Sequence, residues 1–404
     1  MRVLMITPGT RGDVAPMAGL GSRLQALGFD VAIAANAAHA PLITTAGCEY
    51  RELPGDMSHL VNPAPPGQKA TSSDLRRYMS ELGDYMELAA TGSLAAAERG
   101  ADVILANSIA PYAYDMAEAL DIPVIGAHLQ PTEPSSAYPP VLLGIARSLG
   151  PIGNKLLGSL IVAGKAPYDA PSARIRLALG LDKKSRPAAE RQRRKANHPV
   201  LHGFSSSVFP RPSDWRSGLV TTGYWWPKVD PDWRPSPELR EFLADGPPPV
   251  FIGFGSSEAM DADFMLETIR RTGIRAVLQG VEEVSEPDAL SIGAVPHEWL
   301  FPQMAAVVHH AGAGTTAAGL RAGVPTVSVP IFTDQPFWAG RITALGAGPE
   351  PVPYKELSTE RLSDTIKRAT ANPEYATKSR MLAAVLAAED GTAPVAAALR
   401  VAGQ

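Results

Sequence analysis

Cysteine is almost absent from this 404-residue chain: Cys48 stands alone, which excludes an internal disulfide and a cysteine-built metal cluster and suits a reducing compartment. Flanked by helix-like and strand-like residues, Cys48 reads as a buried side chain rather than a nucleophile. An excess of positive charge is missing too. The net charge is -4 and the isoelectric point about 6.1, so there is no basic field of the kind that draws nucleic acid. Long uninterrupted apolar runs are lacking. The first one breaks at Pro8-Gly9 without a secretory core or cleavage site, and residues 139–163 are interrupted by Arg147, Pro151, Lys155 and several glycines. The expectation is a cytoplasmic protein with no integral membrane segment, monomeric or weakly dimeric. Residues 139–163 read as an amphipathic hairpin, an acceptor wall or a membrane-surface hairpin. No G-x-G-x-x-G follows the first apolar run, which sets a nicotinamide dehydrogenase aside. No Asp-x-Asp pair follows a strand-like run either. Asp261-Ala262-Asp263 has the spacing but precedes a helix, where capping is expected, so no metal site is anticipated.

What is present repeats in the order of strand and helix. Residues 3–7, 30–35, 103–107 and 124–128 are short apolar runs separated by helical patterns such as 17–27 and 112–120. After a tract thick with Pro and Trp the pattern restarts at 250–255, 276–279, 290–295, 305–309 and 326–331. Alternation of this kind implies α/β architecture with mostly parallel sheets covered on both faces. The expected layout is a Rossmann-like domain over 1–210, a linker over 211–248, a second Rossmann-like domain over 249–385 and a helix over 386–404 that could pack back on the first. Two such sheets facing each other leave a cleft. The basic run 183–195 reads as a solvated helix face or loop.

The most informative stretch is His309-His310-Ala311-Gly312-Ala313-Gly314-Thr315-Thr316: an apolar run, a small-residue turn and a helix start. Glycines admit close backbone approach and the first N–H groups of a helix attract anions, so a phosphate is its natural occupant, with His310 adding a donor or a positive charge. Further on, Asp334 and Gln335 stand at the end of the next apolar run, the edge where open α/β sheets bind ligands. On the other half, Gly9-Thr10-Arg11-Gly12-Asp13 follows the first strand. Asp13 is placed either to take a proton from a bound hydroxyl or to cap the following helix.

These segments, together with Pro296-His297-Glu298-Trp299-Leu300-Phe301-Pro302, resemble in order and spacing the inverting GT-B glycosyltransferases that use nucleotide sugars, especially the vancomycin-type natural-product enzymes and the sterol 3-β-glucosyltransferases. The resemblance implies two Rossmann-like domains facing across a cleft, with Asp13 as catalytic base and Arg11, Ser256, Val295, His297, His310, Gly312, Gly314, Thr315, Asp334 and Gln335 on the donor. His128 is the reserve base, and His309 and Trp299 are packing residues. It implies no metal and no cofactor beyond the donor itself, a UDP- or dTDP-linked hexose, glucose foremost, and a hydrophobic small-molecule acceptor. Where plant relatives carry Trp, Gln and Glu around the nucleoside, this chain has Ala294, His297 and Ala318, which leaves UDP against dTDP open. A GT-B-fold nucleotide-sugar epimerase and a non-catalytic nucleotide-binding partner protein are the alternatives.

Overall fold

Thirteen strands form two sheets in the computed structural model, which describes residues 1–57, 60, 71–255, 261–281 and 283–404. The first sheet holds β1 (Arg2–Ile6), β2 (Asp30–Asn36), β3 (Glu49–Leu53), β4 (Val103–Ala106), β5 (Val124–His128), β6 (Val200–His202) and β7 (Leu219–Thr221) in the order β3-β2-β1-β4-β5-β6-β7, all parallel. The second holds β8 (Val250–Gly253), β9 (Ala276–Gln279), β10 (Ser285–Glu286), β11 (Ala289–Ile292), β12 (Ala306–His309) and β13 (Thr326–Ser328) in the order β10-β11-β9-β8-β12-β13, parallel except for β10. The inner strands are apolar along their whole length because helices cover both faces of each sheet: Val3, Leu4, Met5 and Ile6 are all buried, and so are Ala306, Val307 and Val308.

Strand order reverses between β1 and β4 in the first sheet and between β8 and β12 in the second. At such a switch the connections leave the sheet in opposite directions and open a crevice at the strands' carboxyl ends. The two sequence segments singled out above follow β1 and β12, so each lies at one of these crevices.

The stretch 211–248 is more than a linker. Leu219–Thr221 is the last strand of the first sheet and Pro237–Ala244 is a helix, so the Pro-rich tract supplies structure to the first half before it crosses over. Three-residue strands give too short a pattern to read. The helix Ala393–Ala402 sends Val395, Ala396 and Leu399 into the core built on β1 and β2, so the chain crosses between the halves twice. The halves also share an apolar cluster in which Phe204 and Phe209 meet Trp338 and Phe337 at ring separations of 5.8 and 5.0 Å.

The basic run is divided: Lys183, Arg191 and Lys195 are exposed as expected, while three arginines turn inward. Arg186 binds Asp169, Arg193 lies 4.2 Å from the Tyr114 ring centroid, and Arg194 bridges Glu190 and Glu133. Cys48 is buried with its thiol pushed up to about 12, which keeps it protonated and unreactive.

Candidate active site

The helix Arg11–Ala26 begins with a capping box. Thr10 N–H donates to Asp13 Oδ2 at 3.0 Å, and the Thr10 side chain lies within hydrogen-bond reach of the same oxygen, at 3.4 Å. Capping and cleft-facing are therefore properties of one side chain, since Asp13 also lines the large cavity between the halves. Gly9 is required by this arrangement because a Cβ there would collide with the Asp13 carboxylate. The turn is held from behind by Tyr85, whose hydroxyl donates to the Pro8 carbonyl at 2.7 Å and sits 2.6 Å from Asn36 Oδ1. Burial pushes the Asp13 carboxyl up to about 6, against the Thr10 N–H that favours its ionised form, and the nearby Asp334 carboxylate raises it further.

Asn107, one residue past β4, is a site residue that the sequence reading missed. Its Oδ1 accepts from Ile109 N–H at 3.2 Å and from Ser108 at 3.3 Å, which fixes the amide; the residue is 1% exposed, its Nδ2 has no partner at full hydrogen-bond geometry among the described residues, and it favours the ionised form of Asp13. The signal was available, since a polar residue directly after a buried run stands at the same sheet edge as Asp13.

Across the cavity, the helix Ala313–Ala322 starts at Gly312 with no side-chain cap, which leaves its first N–H groups without a protein acceptor from a capping residue. Gly314 is exposed, and a Cβ there would meet nothing, so protein packing does not demand this glycine. Ala311, two residues past β12, has φ +62°, an uncommon conformation for a residue with a Cβ, and Thr333, five residues past β13, has φ +49°.

His310 lies between two glycines: a Cβ on Gly255 or Gly312 would press on its ring. Burial lowers it to about 4, so at neutral pH it is an uncharged donor and not the positive charge allowed for above. His297, stacked on Phe301 with ring centroids 4.2 Å apart, is lowered to about 4 by burial, with Arg11 and His310 adding to the effect. His309 is structural: its Nδ1 accepts from Ala311 N–H at 2.8 Å and shapes the turn. Thr315, Val295, Ala294, Ala318 and the exposed Arg11 border the same cavity.

Asp334 stands before the helix Gln335–Ala344 but makes no cap bond; its carboxylate accepts from Trp338 Nε1 at 2.9 Å and Thr333 Oγ1 at 3.1 Å. Gln335 is 5% exposed and its carbonyl oxygen is taken by the Ile331 and Phe332 N–H groups at 2.7 and 3.1 Å, so only its NH₂ is available to a ligand. Ser256 lies outside the described residues. Asp261 caps its helix through Phe264 N–H at 2.7 Å, and no cluster of three or more His, Cys, Asp or Glu able to hold a metal occurs among the described residues. His128 reaches the cavity, is lowered to about 4 by burial, and has Thr132 Oγ1 at 3.5 Å. Trp299 packs 5.1 Å from Trp233 at the edge of the second core.

The cavity has a volume of about 1650 Å³ and takes its walls from both halves. The second half contributes an uncapped helix start, a neutral imidazole and a carboxylate; the first contributes a half-buried carboxyl poised near 6 and aromatic and aliphatic side chains such as Tyr78, Tyr168, Leu142 and Ile161. A polar ligand with an anionic group and an apolar one with a titratable group can meet there.

Residues 272–401 match the family described as Erythromycin biosynthesis protein CIII-like, C-terminal domain. Over 97% of its length the chain is 35% identical to O-mycaminosyltylonolide 6-deoxyallosyltransferase of Streptomyces fradiae, covering 95% of that protein. The chain belongs to the GT-B glycosyltransferases. It is also 32% identical over 97% of its length to a sterol 3-beta-glucosyltransferase of Arabidopsis thaliana, of which it spans 64%. The glycosyltransferase VinC, solved in complex with DTDP, superposes with a TM-score of 0.67 at 20% identity, covering 100% of this chain and 99% of that one. As a GT-B glycosyltransferase the chain is an enzyme of group transfer, and residues from both switch-point crevices line one cavity.

Proposed function

We propose that this enzyme is an inverting, metal-independent glycosyltransferase that moves a hexose from a UDP- or dTDP-sugar to a hydroxyl of a hydrophobic natural-product or sterol-like acceptor. The observation that carries this reading is the sharing of one cavity by the Asp13 carboxyl and the uncapped start of Ala313–Ala322. Asp13 takes the proton of the acceptor hydroxyl as its oxygen attacks the anomeric carbon, and the bond to the leaving diphosphate breaks on the opposite face. The charge that develops on the diphosphate is met by the N–H groups of Ala313, Gly314 and Thr315, by the helix dipole and by the N–H of neutral His310. Asp334 and the Gln335 NH₂ hold sugar hydroxyls, with Asp334 fixed by Trp338 and Thr333. Val295 and His297 border the nucleoside, and Arg11 approaches the diphosphate from the first half. The Streptomyces relative acts on a macrolide and the Arabidopsis relative on a sterol, both large and largely apolar, which agrees with an aliphatic and aromatic acceptor wall. Binding of DTDP by VinC supports dTDP as the nucleotide.

The test has two steps. Thermal-shift measurements with UDP and dTDP identify the nucleotide, and mass spectrometry of macrolide and sterol pools incubated with the matching sugar donor detects a product heavier by one hexose or deoxyhexose. Stabilisation by neither nucleotide, or consumption of donor with no acceptor adduct, rejects the proposal; the second result points to an epimerase.

A further inference from the structure

The helix Gly150–Ala163 is apolar on both of its faces. Its inner face is anchored to the protein: Gly158 packs so close to Pro134 that a Cβ would lie 3.1 Å from that residue, and Asn154 Nδ2 donates to the Ser136 carbonyl at 3.1 Å. Ile161 and Val162 continue this face into the wall of the active cavity. On the outer face Ile152, Leu156 and Leu160 follow one another at intervals of four and are 84%, 59% and 59% exposed. Leu142, Leu143 and Leu149, in the segment leading into the helix, are each about half exposed, and Leu142 also borders the cavity. Water-facing leucines scattered singly are ordinary, but six large apolar side chains exposed within the one segment 142–160, three of them in a helical stripe, mark an interaction site.

Charge selects the partner. Between Glu133 and Asp169 the sequence has no acid, while Arg147 and Lys165 stand exposed at either end of the stripe and Lys155 lies along it, bound to Asp214. A second copy of the chain laid on this stripe would bring Arg147 and Lys165 toward the same exposed cations, while Asp214 beside the stripe is already taken by Lys155. An anionic lipid surface supplies the opposite charge along with an apolar layer for the leucines. No helix among the described residues is long and apolar enough to cross a membrane, and this one, 14 residues long, extends about 21 Å. A helix of that length with an exposed apolar stripe suits the plane of a bilayer surface.

We propose that the outer face of Gly150–Ala163, with Leu142, Leu143 and Leu149, docks the enzyme on the surface of an anionic phospholipid bilayer. The cavity wall is then the reverse side of the docking helix, so an apolar acceptor held in the membrane reaches the site without passing through water. That last step rests on the hydrophobic acceptor proposed above; the docking does not.

The experiment is vesicle co-sedimentation of the full chain, without substrates, on phosphatidylcholine alone and on phosphatidylcholine mixed with phosphatidylglycerol. The triple variant Ile152→Glu, Leu156→Glu, Leu160→Glu is run beside the wild type, with thermal unfolding to confirm that it is folded. The expected result is binding to the mixed vesicles that weakens with salt and falls by at least about tenfold in the variant. Wild-type protein that stays in the supernatant, or a folded variant that binds as well as wild type, overturns the proposal. So does sedimentation equilibrium showing a wild-type dimer that the triple variant splits, because a second copy would then cover the patch. Each of these readouts is separate from turnover, so failure of docking leaves the proposed reaction standing, and the reverse holds too.

Discussion

Replacing Asp13 with Asn should remove turnover and make the protein more stable at the same time. The carboxyl is raised from 3.8 to about 6, chiefly by burial. A folded state that holds a proton more tightly than the unfolded chain gains nothing at pH values where both are protonated and is penalised where both are ionised. Below about pH 4 Asp13 therefore costs nothing; the penalty grows between about 4 and 6 as the unfolded chain ionises first, and is complete above that. At about 1.4 kcal/mol for each pH unit the full penalty is about 3 kcal/mol. Asn keeps an acceptor for Thr10 N–H but makes a weaker capping partner, which returns on the order of 0.5–1 kcal/mol. A net gain of about 2 kcal/mol at pH 8 is expected, shrinking toward zero at pH 4–5. Urea unfolding of wild type and Asp13→Asn at pH 5 and pH 8 reads this directly, beside steady-state kinetics in which kcat drops by at least about a hundredfold. A variant no more stable than wild type at pH 8, or a gain of equal size at pH 5, would refute the argument that burial sets the basicity of this group. Unchanged turnover would remove Asp13 from the mechanism.

The wild-type kcat/KM should rise with pH through about 6 and level off, as the ionised carboxylate is the active form. Asn107→Ala removes an amide that favours the ionised form of this carboxyl, so the midpoint of the pH–rate profile should move upward while donor KM stays the same; an unmoved midpoint would show that Nδ2 does not act on Asp13. Gln335→Leu leaves the part-buried Ile331 and Phe332 N–H groups without their acceptor, and should cost about 1–2 kcal/mol in urea unfolding as well as raising donor KM. A variant as stable as wild type would mean that the 331–335 turn is held by other contacts.

The sequence carried the strongest periodicities clearly. β1, β2, β4, β5, β8 and β12 are buried on both faces and read as apolar runs, and the small-residue turn at 311–315 identified itself through its place between such a run and a helix. β3 was lost because an edge strand with Glu49, Arg51 and Glu52 looks polar in isolation, although Arg51 is buried and bonded to Ala96 and Gly100 carbonyls. β6 and β7 have three residues each, too few for any period to show. At the site, residue types announced themselves but protonation did not. His310 and His297 are held neutral by burial that only the packed cleft creates, and the carbonyl of Gln335 is spent on its own turn. Asn107 carries the mark of a polar residue directly after a buried run, but what it acts on depends on the parallel neighbour relation of β4 to β1, which brings two sequence-distant edges together.

The aromatic seam between the halves sets how substrates come and go. Phe204, Phe209 and Trp338 are buried where the two lobes touch, and pulling the lobes apart would wet them at a cost on the order of 5 kcal/mol, so a fully parted enzyme is a rare species. Two covalent strands of chain cross beside that seam, which makes it an axle rather than a door. Ligands would then pass at the rim while the hub stays shut, and the tryptophan that forms the hub is the same one that steadies Asp334, so the proposed grip on the sugar is fastened to the hub itself.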